Sequence, residues 1–251
     1  MFAGDRCAIV DGGYAGTLYR DAVHPSVLSA FDTGPLAALE RVVVGLDPAD
    51  RGTSYIYVGS GAVTASDRHG DIWLRPGMFA VSPEPIRLDF DPGLPTKVVS
   101  ITRVGYRGQR VFGGPIEERG RLRYIDTCSD TCLVAPSVLG EPCLNHLHFP
   151  EHIEQTFHTH PSLRAGLVAR GHGWCESGGE RIALRPGSVW IIPTDVEHRF
   201  LTTDETLDVI AFHPDSDFGP THEDHPMLNR TWVGGVKIQH DERAEVIDPY
   251  F

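Results

Sequence analysis

Histidine is the residue type with the clearest chemical signal in this sequence. The chain has 13 histidines, and only His24 and His69 precede residue 140. His158 and His160 lie two residues apart. If their segment is a β-strand, side chains at this spacing share one face, so the two imidazoles converge. A function that uses imidazole is therefore expected in the second half of the chain.

His198 is the third candidate ligand. It follows Pro193 at the end of a predicted strand over residues 189–192, and a neighbouring antiparallel strand could bring it to the His158–His160 pair. Three neutral imidazoles suit Fe, Zn, Cu, Ni or Mn, and they leave coordination positions open for substrate, water or dioxygen. The sequence thus predicts one divalent metal ion held by His158, His160 and His198.

The elements that position these residues are predicted to be β-strands. Short alternating or β-branched runs bounded by turn residues dominate the chain, at 41–46, 55–58, 98–101, 167–169, 189–192 and 207–212. Such runs are typical of an all-β sandwich or barrel. Helical patterns are scarce, and the clearest is a short one over residues 35–40.

The two halves of the chain form an internal repeat. When the sequence is shifted by 110 residues, segment 72–77 falls on 182–187, Gly61 on Gly171 and Phe90 on Phe200. A repeat of this length indicates a whole β domain used twice. We predict a first domain at 20–105, a linker at 106–120, a second domain at 121–215 and a tail at 216–251.

The second half resembles the cupin superfamily, whose two motifs are G-x5-H-x-H-x(3,4)-E-x6-G and G-x5-P-x-G-x2-H-x3-N. The chain matches these motifs with three histidines and three Gly or Pro markers, namely His158, His160, Gly171, Gly187, Pro193 and His198. Asp195 replaces the second glycine of the second motif and Thr202 its final asparagine. The resemblance implies two double-stranded β-barrels in tandem, a bicupin, with a metal in the wider mouth of one barrel.

One departure from the family pattern concerns the ligand set. Arg164 stands where the family has glutamate, and a guanidinium cannot bind a metal because it stays cationic. The site therefore resembles that of three-histidine cupins. Arg164 either points into the cavity, where it could fork onto an anionic substrate, or turns outward into a surface ion pair. Gln155 is a candidate extra ligand or hydrogen-bond donor to the ligands.

The first half lacks these ligands. Under the same shift, Pro48 and Asp50 stand at the positions of His158 and His160, Ser54 at that of Arg164 and Leu88 at that of His198, so the first domain is predicted to be a degenerate cupin barrel without a metal.

Other residues leave alternatives open. His146 and His148 form a second His-x-His, which is either a rival metal pair or a set of cavity-lining histidines, and Cys128 with Cys132 could be half of a zinc site. Trp190 is either core or a platform for substrate. The tail is a solvated loop, or a lid that brings His222 or His225 to the site as an acid or base.

Composition limits the partners. A formal charge of −12 without a Lys/Arg cluster argues against nucleic acid, and no apolar run reaches the roughly 18 residues of a membrane span. Five cysteines, an odd number in a chain of this size, favour free thiols and a cytoplasmic protein. A small-molecule substrate and a monomer or homodimer are expected.

The resemblance favours an enzyme. Three-histidine cupins are often similar to non-haem Fe(II) dioxygenases, so we expect an Fe(II) oxygenase that acts on a small, anionic metabolite bound to the metal. The first alternative is a redox-neutral isomerase, cyclase, lyase or bond-forming enzyme of specialised metabolism that uses Zn, Mn or Ni. The second is a cupin that binds a ligand without catalysis.

Overall fold

The computed structural model describes residues 6–34, 42–46, 52–225, 227 and 230–237. The strands of the first half are β1 (Ala8–Asp11), β2 (Ala15–Asp21), β3 (Ser26–Asp32), β4 (Val42–Leu46), β5 (Thr53–Ser60), β6 (Val63–Asp67), β7 (Gly70–Leu74), β8 (Phe79–Ser82), β9 (Ile86–Phe90), β10 (Lys97–Arg103) and β11 (Val111–Gly113). The predicted helix at 35–40 lies outside the described residues.

The second half continues the same pattern. Its strands are β12 (Leu122–Arg123), β13 (Ser129–Val134), β14 (Cys143–Phe149), β15 (Arg164–Gly171), β16 (Gly173–Ser177), β17 (Glu180–Leu184), β18 (Ser188–Ile192), β19 (His198–Leu201) and β20 (Leu207–His213). A short 3₁₀ turn, Ile125–Thr127, precedes β13, and the hairpin of β21 (Trp232–Val233) and β22 (Val236–Lys237) follows. None of the described residues form a helix that could span a lipid bilayer.

Each half folds as a barrel made of a large and a small antiparallel sheet. In the first half, the large sheet has the order β11-β8-β5-β10-β3-β2 and the small sheet the order β4-β9-β6-β7. In the second half, the large sheet has the order β1-β18-β15-β20-β14-β13-β12 and the small sheet the order β17-β16-β19. The prediction of an all-β fold with two tandem barrels is confirmed.

The N-terminal strand crosses from one half to the other. β1 pairs with β18, with Ala8 opposite Ile191 and Asp11 opposite Ser188. The start of the chain therefore completes the large sheet of the second barrel. β2, which begins at Ala15, belongs to the large sheet of the first. The domain boundaries predicted at residues 105, 120 and 215 stay a prediction.

The repeat is visible strand by strand. Shifting β7 by 110 residues places it on β17, and the same shift places β10 on β20. Gly61 and Gly171 occupy equivalent turns with φ of 70° and 72°, a left-handed conformation that favours glycine. A Cβ on Gly171 would lie 1.8 Å from the carbonyl oxygen of Thr206. These two glycines therefore let the chain turn tightly at the same point of both barrels.

The two barrels differ inside. The first is filled by one apolar cluster, and its fully buried members are Ile56, Val58, Leu74, Ala80, Leu88 and Val98. The second barrel has an apolar cluster too, but polar side chains are buried beside it, among them Asn145, Gln155, Arg164 and His198. Because buried polar groups cost free energy unless they are partnered, this difference points to a site in the second barrel.

Candidate metal centre

The backbone brings the three predicted histidines together. His158 and His198 form an isolated antiparallel bridge, in which each amide N–H donates to the other carbonyl at 3.0 Å. The carbonyl of His160 accepts from the amide of Asp195 at 2.8 Å. The prediction that His158 and His160 lie on a regular strand is wrong, because this segment is extended but pairs with the second barrel only at single points.

The position of His198 also differs from the prediction. β18 ends at Ile192, and His198 is the first residue of the next strand, β19. Between them, Asp195 adopts a φ of 58°, the left-handed conformation that the family's glycine would favour at this position. The turn at Pro193–Asp195 thus reverses the chain and aims His198 back at His158.

The imidazoles converge on one point. Each ring offers a ligand nitrogen, and the three nitrogens lie within 4.8 Å of one another. The ring centroids are 4.4 Å apart for His158 and His198, and 5.0 and 5.1 Å from each of these to His160. Zn–N bonds of about 2.0–2.1 Å require ligand nitrogens in this kind of tight triangle. Within the described ranges, no other group of three His, Cys, Asp or Glu side chains is close enough to hold an ion.

Backbone carbonyls set the tautomer of two rings. Nδ1 of His158 lies 2.8 Å from the carbonyl oxygen of Thr156, and Nδ1 of His198 lies 2.9 Å from that of Val196. A carbonyl only accepts, so both Nδ1 atoms carry the proton and donate it. The Nε2 lone pairs are left for a metal, which is the usual arrangement of metal-binding histidines.

Burial keeps two of the three rings neutral. It lowers the pKa of His160 to about 3, with the nearby Arg164 guanidinium as the next largest cause. It also lowers the pKa of His198 to about 4. A neutral imidazole has a free lone pair, so protons do not compete for these two nitrogens at neutral pH.

Arg164 points inward. It is the first residue of β15 and only 3% exposed. Its Nη1 donates to Ser162 Oγ at 2.5 Å and to the Leu163 carbonyl at 3.1 Å, and it lies 3.8 Å from Asp215 Oδ1. Its Nε has no hydrogen-bond partner. The alternative in which Arg164 turns outward into a surface ion pair is therefore not what the structure has.

The three histidines and Arg164 line one cavity of about 40 Å³. The other lining residues are Tyr124, Asp130, Asn145, Leu147, Phe149, Gln155, Trp190, Ile192, Phe200, Ala211 and His213. Gln155 and Trp190 were predicted near the site and do line it. The Oε1 atom of Gln155 accepts from the Phe200 amide at 3.2 Å, so this oxygen supports β19.

Two predicted neighbours lie elsewhere. His222 is exposed and does not line the cavity. His148 is buried, but it sits on the opposite face of β14 from the lining residues Asn145 and Leu147, because side chains alternate along a strand. The alternative that His146 and His148 line the metal cavity is therefore wrong for both.

His146 and His148 instead share a carboxylate. Asp208 Oδ1 lies 2.7 Å from His146 Nε2 and 3.0 Å from His148 Nδ1. Arg170 Nε donates to Asp208 Oδ2 at 3.2 Å. Arg170 of this cluster also lies near Tyr57 of the first barrel: burial raises the pKa of Tyr57, and the positive charge of Arg170 opposes that shift. Cys128 and Cys132 belong to no metal-binding group either.

Four polar cavity residues were not predicted from the sequence. They are Tyr124, Asp130, Asn145 and His213. Burial raises the pKa of Asp130 to about 6, against the opposing influence of His146, and lowers that of His213 well below its usual value. The signal that could have found Asn145 is its place between Leu144 and His146, since side chains at successive positions of a strand point to opposite faces and one face had to point inward.

The first barrel carries none of this chemistry at the equivalent positions that are described. Leu88, at the position of His198, is fully buried among apolar residues. Ser54, at the position of Arg164, pairs with Thr102 through their hydroxyl oxygens at 2.8 Å. Pro48 and Asp50 lie outside the described residues.

Known proteins with the same fold are distant in sequence. The family model of the cupin domain matches residues 145–227, and no curated protein matches the chain. A cupin 2 conserved barrel domain protein from Leptotrichia buccalis is 13% identical with a TM-score of 0.58, and the match covers 82% of this chain and 88% of that one.

Two further solved structures are similar over both barrels. Protein YlbA from E. coli is 14% identical with a TM-score of 0.57, and the match covers 86% of this chain and 94% of that one. Salicylate 1,2-dioxygenase from Pseudaminobacter salicylatoxidans is 12% identical with a TM-score of 0.55, and the match covers 74% and 70%. The second barrel thus matches the family model of the cupin domain, and the likeness of fold to solved cupin structures extends over both barrels.

Proposed function

We propose that the protein is a metal-dependent enzyme that acts on a small, anionic metabolite at a three-histidine centre. The observation that carries this proposal is the triangle of convergent imidazoles inside a barrel, beside a buried arginine. No carboxylate belongs to the triangle, so a bound divalent ion would keep its full charge and attract an anion. A purely structural histidine cluster has no need of convergent, unprotonated nitrogens.

Each residue has a defined part in this proposal. His158, His160 and His198 hold the ion, and the Thr156 and Val196 carbonyls fix the orientation of two of the rings. Arg164 pairs with the anionic group of the substrate, for which it has an unused N–H on Nε. The metal, when bound, supplies Lewis acidity and open positions for ligands. The apolar wall around Trp190 and Phe200 limits the access of water.

We favour Fe(II) and an oxygenase reaction. Imidazole suits Fe, Zn, Cu and Ni, so the donor set alone does not choose among them. The absence of a carboxylate from the triangle matches the three-histidine cupins that resemble Fe(II) dioxygenases. One of the similar folds, with a TM-score of 0.55, is a salicylate 1,2-dioxygenase.

A redox-neutral reaction with Zn, Mn or Ni is the second candidate. It is favoured by Asp130, a buried carboxyl group whose pKa of about 6 suits proton transfer near neutral pH. The two candidates differ in their need for dioxygen. Dioxygen uptake by the iron-loaded protein with a panel of small carboxylates supports the oxygenase, whereas turnover of such a compound by the zinc-loaded protein without dioxygen contradicts it.

The metal site is tested by replacing His198. We expect His198→Ala to lose most of the bound metal of the purified protein, because it removes one of three ligands. The control is His172→Ala, since His172 is exposed and pairs only with Glu205 on the surface. Metal content by elemental analysis and folding by circular dichroism are measured for both. If His198→Ala holds as much metal as the control, the ion is bound elsewhere.

The surroundings of the protein are part of the proposal. The five cysteines are free, which is typical of a reducing compartment, so we propose a cytoplasmic protein. A monomer or homodimer that binds neither nucleic acid nor membrane fits the acidic composition.

A further inference from the structure

We infer that the cavity selects small aliphatic carboxylates that also carry a hydroxyl group, and that Asn145 and Asp130 accept the hydrogen bond from this hydroxyl. The inference rests on the proposed function, because it concerns the substrate of the same metal centre. It goes further in naming the chemical class of the substrate and the residues that recognise it.

The argument starts from four polar atoms without partners. Among the cavity-lining residues, two buried acceptors and two buried donors have no hydrogen-bond partner, namely Asp130 Oδ1, Asn145 Oδ1, Arg164 Nε and Trp190 Nε1. Asn145, Arg164 and Trp190 are each less than 5% exposed. Because buried polar atoms in native proteins are nearly always satisfied, four such atoms around one cavity point to a ligand that satisfies them.

The sheet order separates donors from acceptors. Trp190 lies on β18 opposite Gly166 of β15, the strand that begins with Arg164. Asn145 lies on β14, and Asp130 lies on β13 opposite Leu147. Between the donor pair β18-β15 and the acceptor pair β14-β13 runs β20. The two kinds of atom therefore belong to opposite sides of the cavity.

The strand between the donors and the acceptors leaves room for a ligand. β20 presents Ala211 to the cavity, a small and fully buried side chain. A ligand that lies across Ala211 would have Arg164 and, one strand further, Trp190 on the side of one end, and Asn145 and, one strand further, Asp130 on the side of the other. The first end must accept hydrogen bonds and carry negative charge, as a carboxylate does. The second end must donate, and a neutral hydroxyl does so without adding a cation beside a metal ion.

The size of the cavity limits the ligand further. At about 40 Å³, its free volume is much smaller than that of an engineered cavity of roughly 150 Å³ that binds benzene in another protein. The small volume favours a hydroxy acid of a few carbon atoms over an aromatic acid. This sets the chain apart from its structural neighbour that is a salicylate dioxygenase.

Binding to the zinc-loaded full-length protein tests this inference, because zinc allows affinity to be measured without redox turnover. The probes are glycolate, acetate, which lacks only the hydroxyl, and salicylate, which adds a ring. Affinities are measured by calorimetry for wild type, Asn145→Leu and Asn145→Asp. We expect the ratio of glycolate affinity to acetate affinity to be at least about tenfold higher in wild type than in Asn145→Leu. Asn145→Asp, which keeps an acceptor, should retain the preference.

The comparison of ratios separates recognition by the protein from chelation. Zinc alone binds a hydroxy acid better than acetate, and this part of the preference stays in every variant. If the glycolate-to-acetate ratio is the same in wild type and Asn145→Leu, or if salicylate binds as tightly as glycolate, the inference is wrong while the metal site stands. If wild type binds no zinc, or His198→Ala binds as much, the proposed function fails instead. Thermal melting checks that each variant is folded.

Discussion

One local device orients two of the three candidate ligands. In both His158 and His198, Nδ1 donates to the carbonyl of the residue two positions earlier, Thr156 or Val196. The rings are thus fixed by their own segments, before any ion is bound. His160 has no such contact among the described hydrogen bonds, and its ring lies beside Arg164, which contributes to its lowered pKa. We expect His160 to be the ligand whose ring moves most when metal binds.

Asp130 gives a prediction on pH. Its folded pKa is about 6, above the unfolded value of 3.8, because burial disfavours the charged form. The folded state therefore binds the extra proton between these values, and the contribution of Asp130 to stability is lost as pH rises through 6. Asn at this position does not titrate. In metal-free protein, we expect the free energy of unfolding of Asp130→Asn, taken relative to that of wild type, to increase by up to about 2 kcal/mol between pH 4 and pH 7, after allowance for solvent screening.

Urea unfolding of both proteins at several pH values measures this difference. We expect the stability of Asp130→Asn minus that of wild type to increase as pH rises from 4 to 7. A constant difference would show that the pKa of Asp130 is the same in the folded and unfolded states, and a difference that narrows with rising pH would show that folding lowers this pKa. Measurement with zinc present is the control, because a nearby cation stabilises the carboxylate and should reduce this increase.

Arg164 gives a second prediction at this scale. Arg164→Met keeps most of the side-chain length and removes the charge, so we expect zinc content to be unchanged and acetate binding to the zinc form to weaken about tenfold or more. The matched control is Arg181→Met, because Arg181 is half-exposed and pairs with Glu176 outside the cavity. Equal acetate affinity in the two variants would show that Arg164 does not bind the anionic group.

The residues that could be predicted from the sequence are those with an unusual type at a fixed spacing. His158, His160 and His198 satisfy a spacing pattern, and Arg164 is visible because it breaks that pattern. Asp130 and Asn145 could not be predicted in the same way, because their direction depends on the pairing register of β13 and β14. That register shifts between Cys132 and Val134, and a shift of one residue exchanges the two faces of a strand.

At the scale of elements, the repeat predicts strands better than it predicts their partners. The shift of 110 residues aligns β7 with β17 and β10 with β20 because both barrels need the same turns and the same strand packing. The pairing of β1 with β18 joins residues about 180 positions apart, and no local pattern marks it. Likewise, the segment around His158 looks like a strand by its alternation, yet it pairs only at single bridges.

The turn at Gly171 gives a prediction on stability. Gly171→Ala would place a Cβ 1.8 Å from the Thr206 carbonyl oxygen, at a φ of 72°. Gly179 is a matched control, because its φ of 78° carries the same conformational strain but its Cβ would meet no atom within 4 Å. In both alanine variants the left-handed conformation lowers the free energy of unfolding by about 1–2 kcal/mol. We expect Gly171→Ala to lose at least about 1 kcal/mol more than Gly179→Ala, because only the first adds a steric clash.

Urea unfolding curves of the two variants measure this difference. Equal losses would mean that the turn at Gly171 relaxes away from Thr206, and the close approach would then not be what fixes glycine there. A loss at Gly179 that exceeds the one at Gly171 would contradict the argument more directly.

At the scale of the whole molecule, the large sheets of the two barrels pack face to face. Their shared core includes Tyr55, whose ring centroid lies 5.0 Å from that of Phe212, and Leu167, which is fully buried. Hydrogen bonds cross the same boundary, from Tyr14 Oη to the Gly187 carbonyl at 2.7 Å and from Arg103 Nε to the Pro214 carbonyl at 3.2 Å. The barrel without metal ligands therefore covers the apolar back of the sheet that carries Arg164.

This arrangement predicts that the second barrel does not fold alone. A fragment of residues 106–225 lacks β1 and every strand of the first barrel's large sheet except the short β11, so it would expose the apolar residues Leu144, Leu167, Ile191, Ile210 and Phe212. Exposed apolar patches of this extent cause aggregation or loss of fixed packing. We expect the fragment to bind the dye ANS, to unfold without a cooperative transition and to hold less zinc than the full chain. A fragment that is monomeric, unfolds cooperatively and binds one zinc ion would show that the first barrel is dispensable for the site.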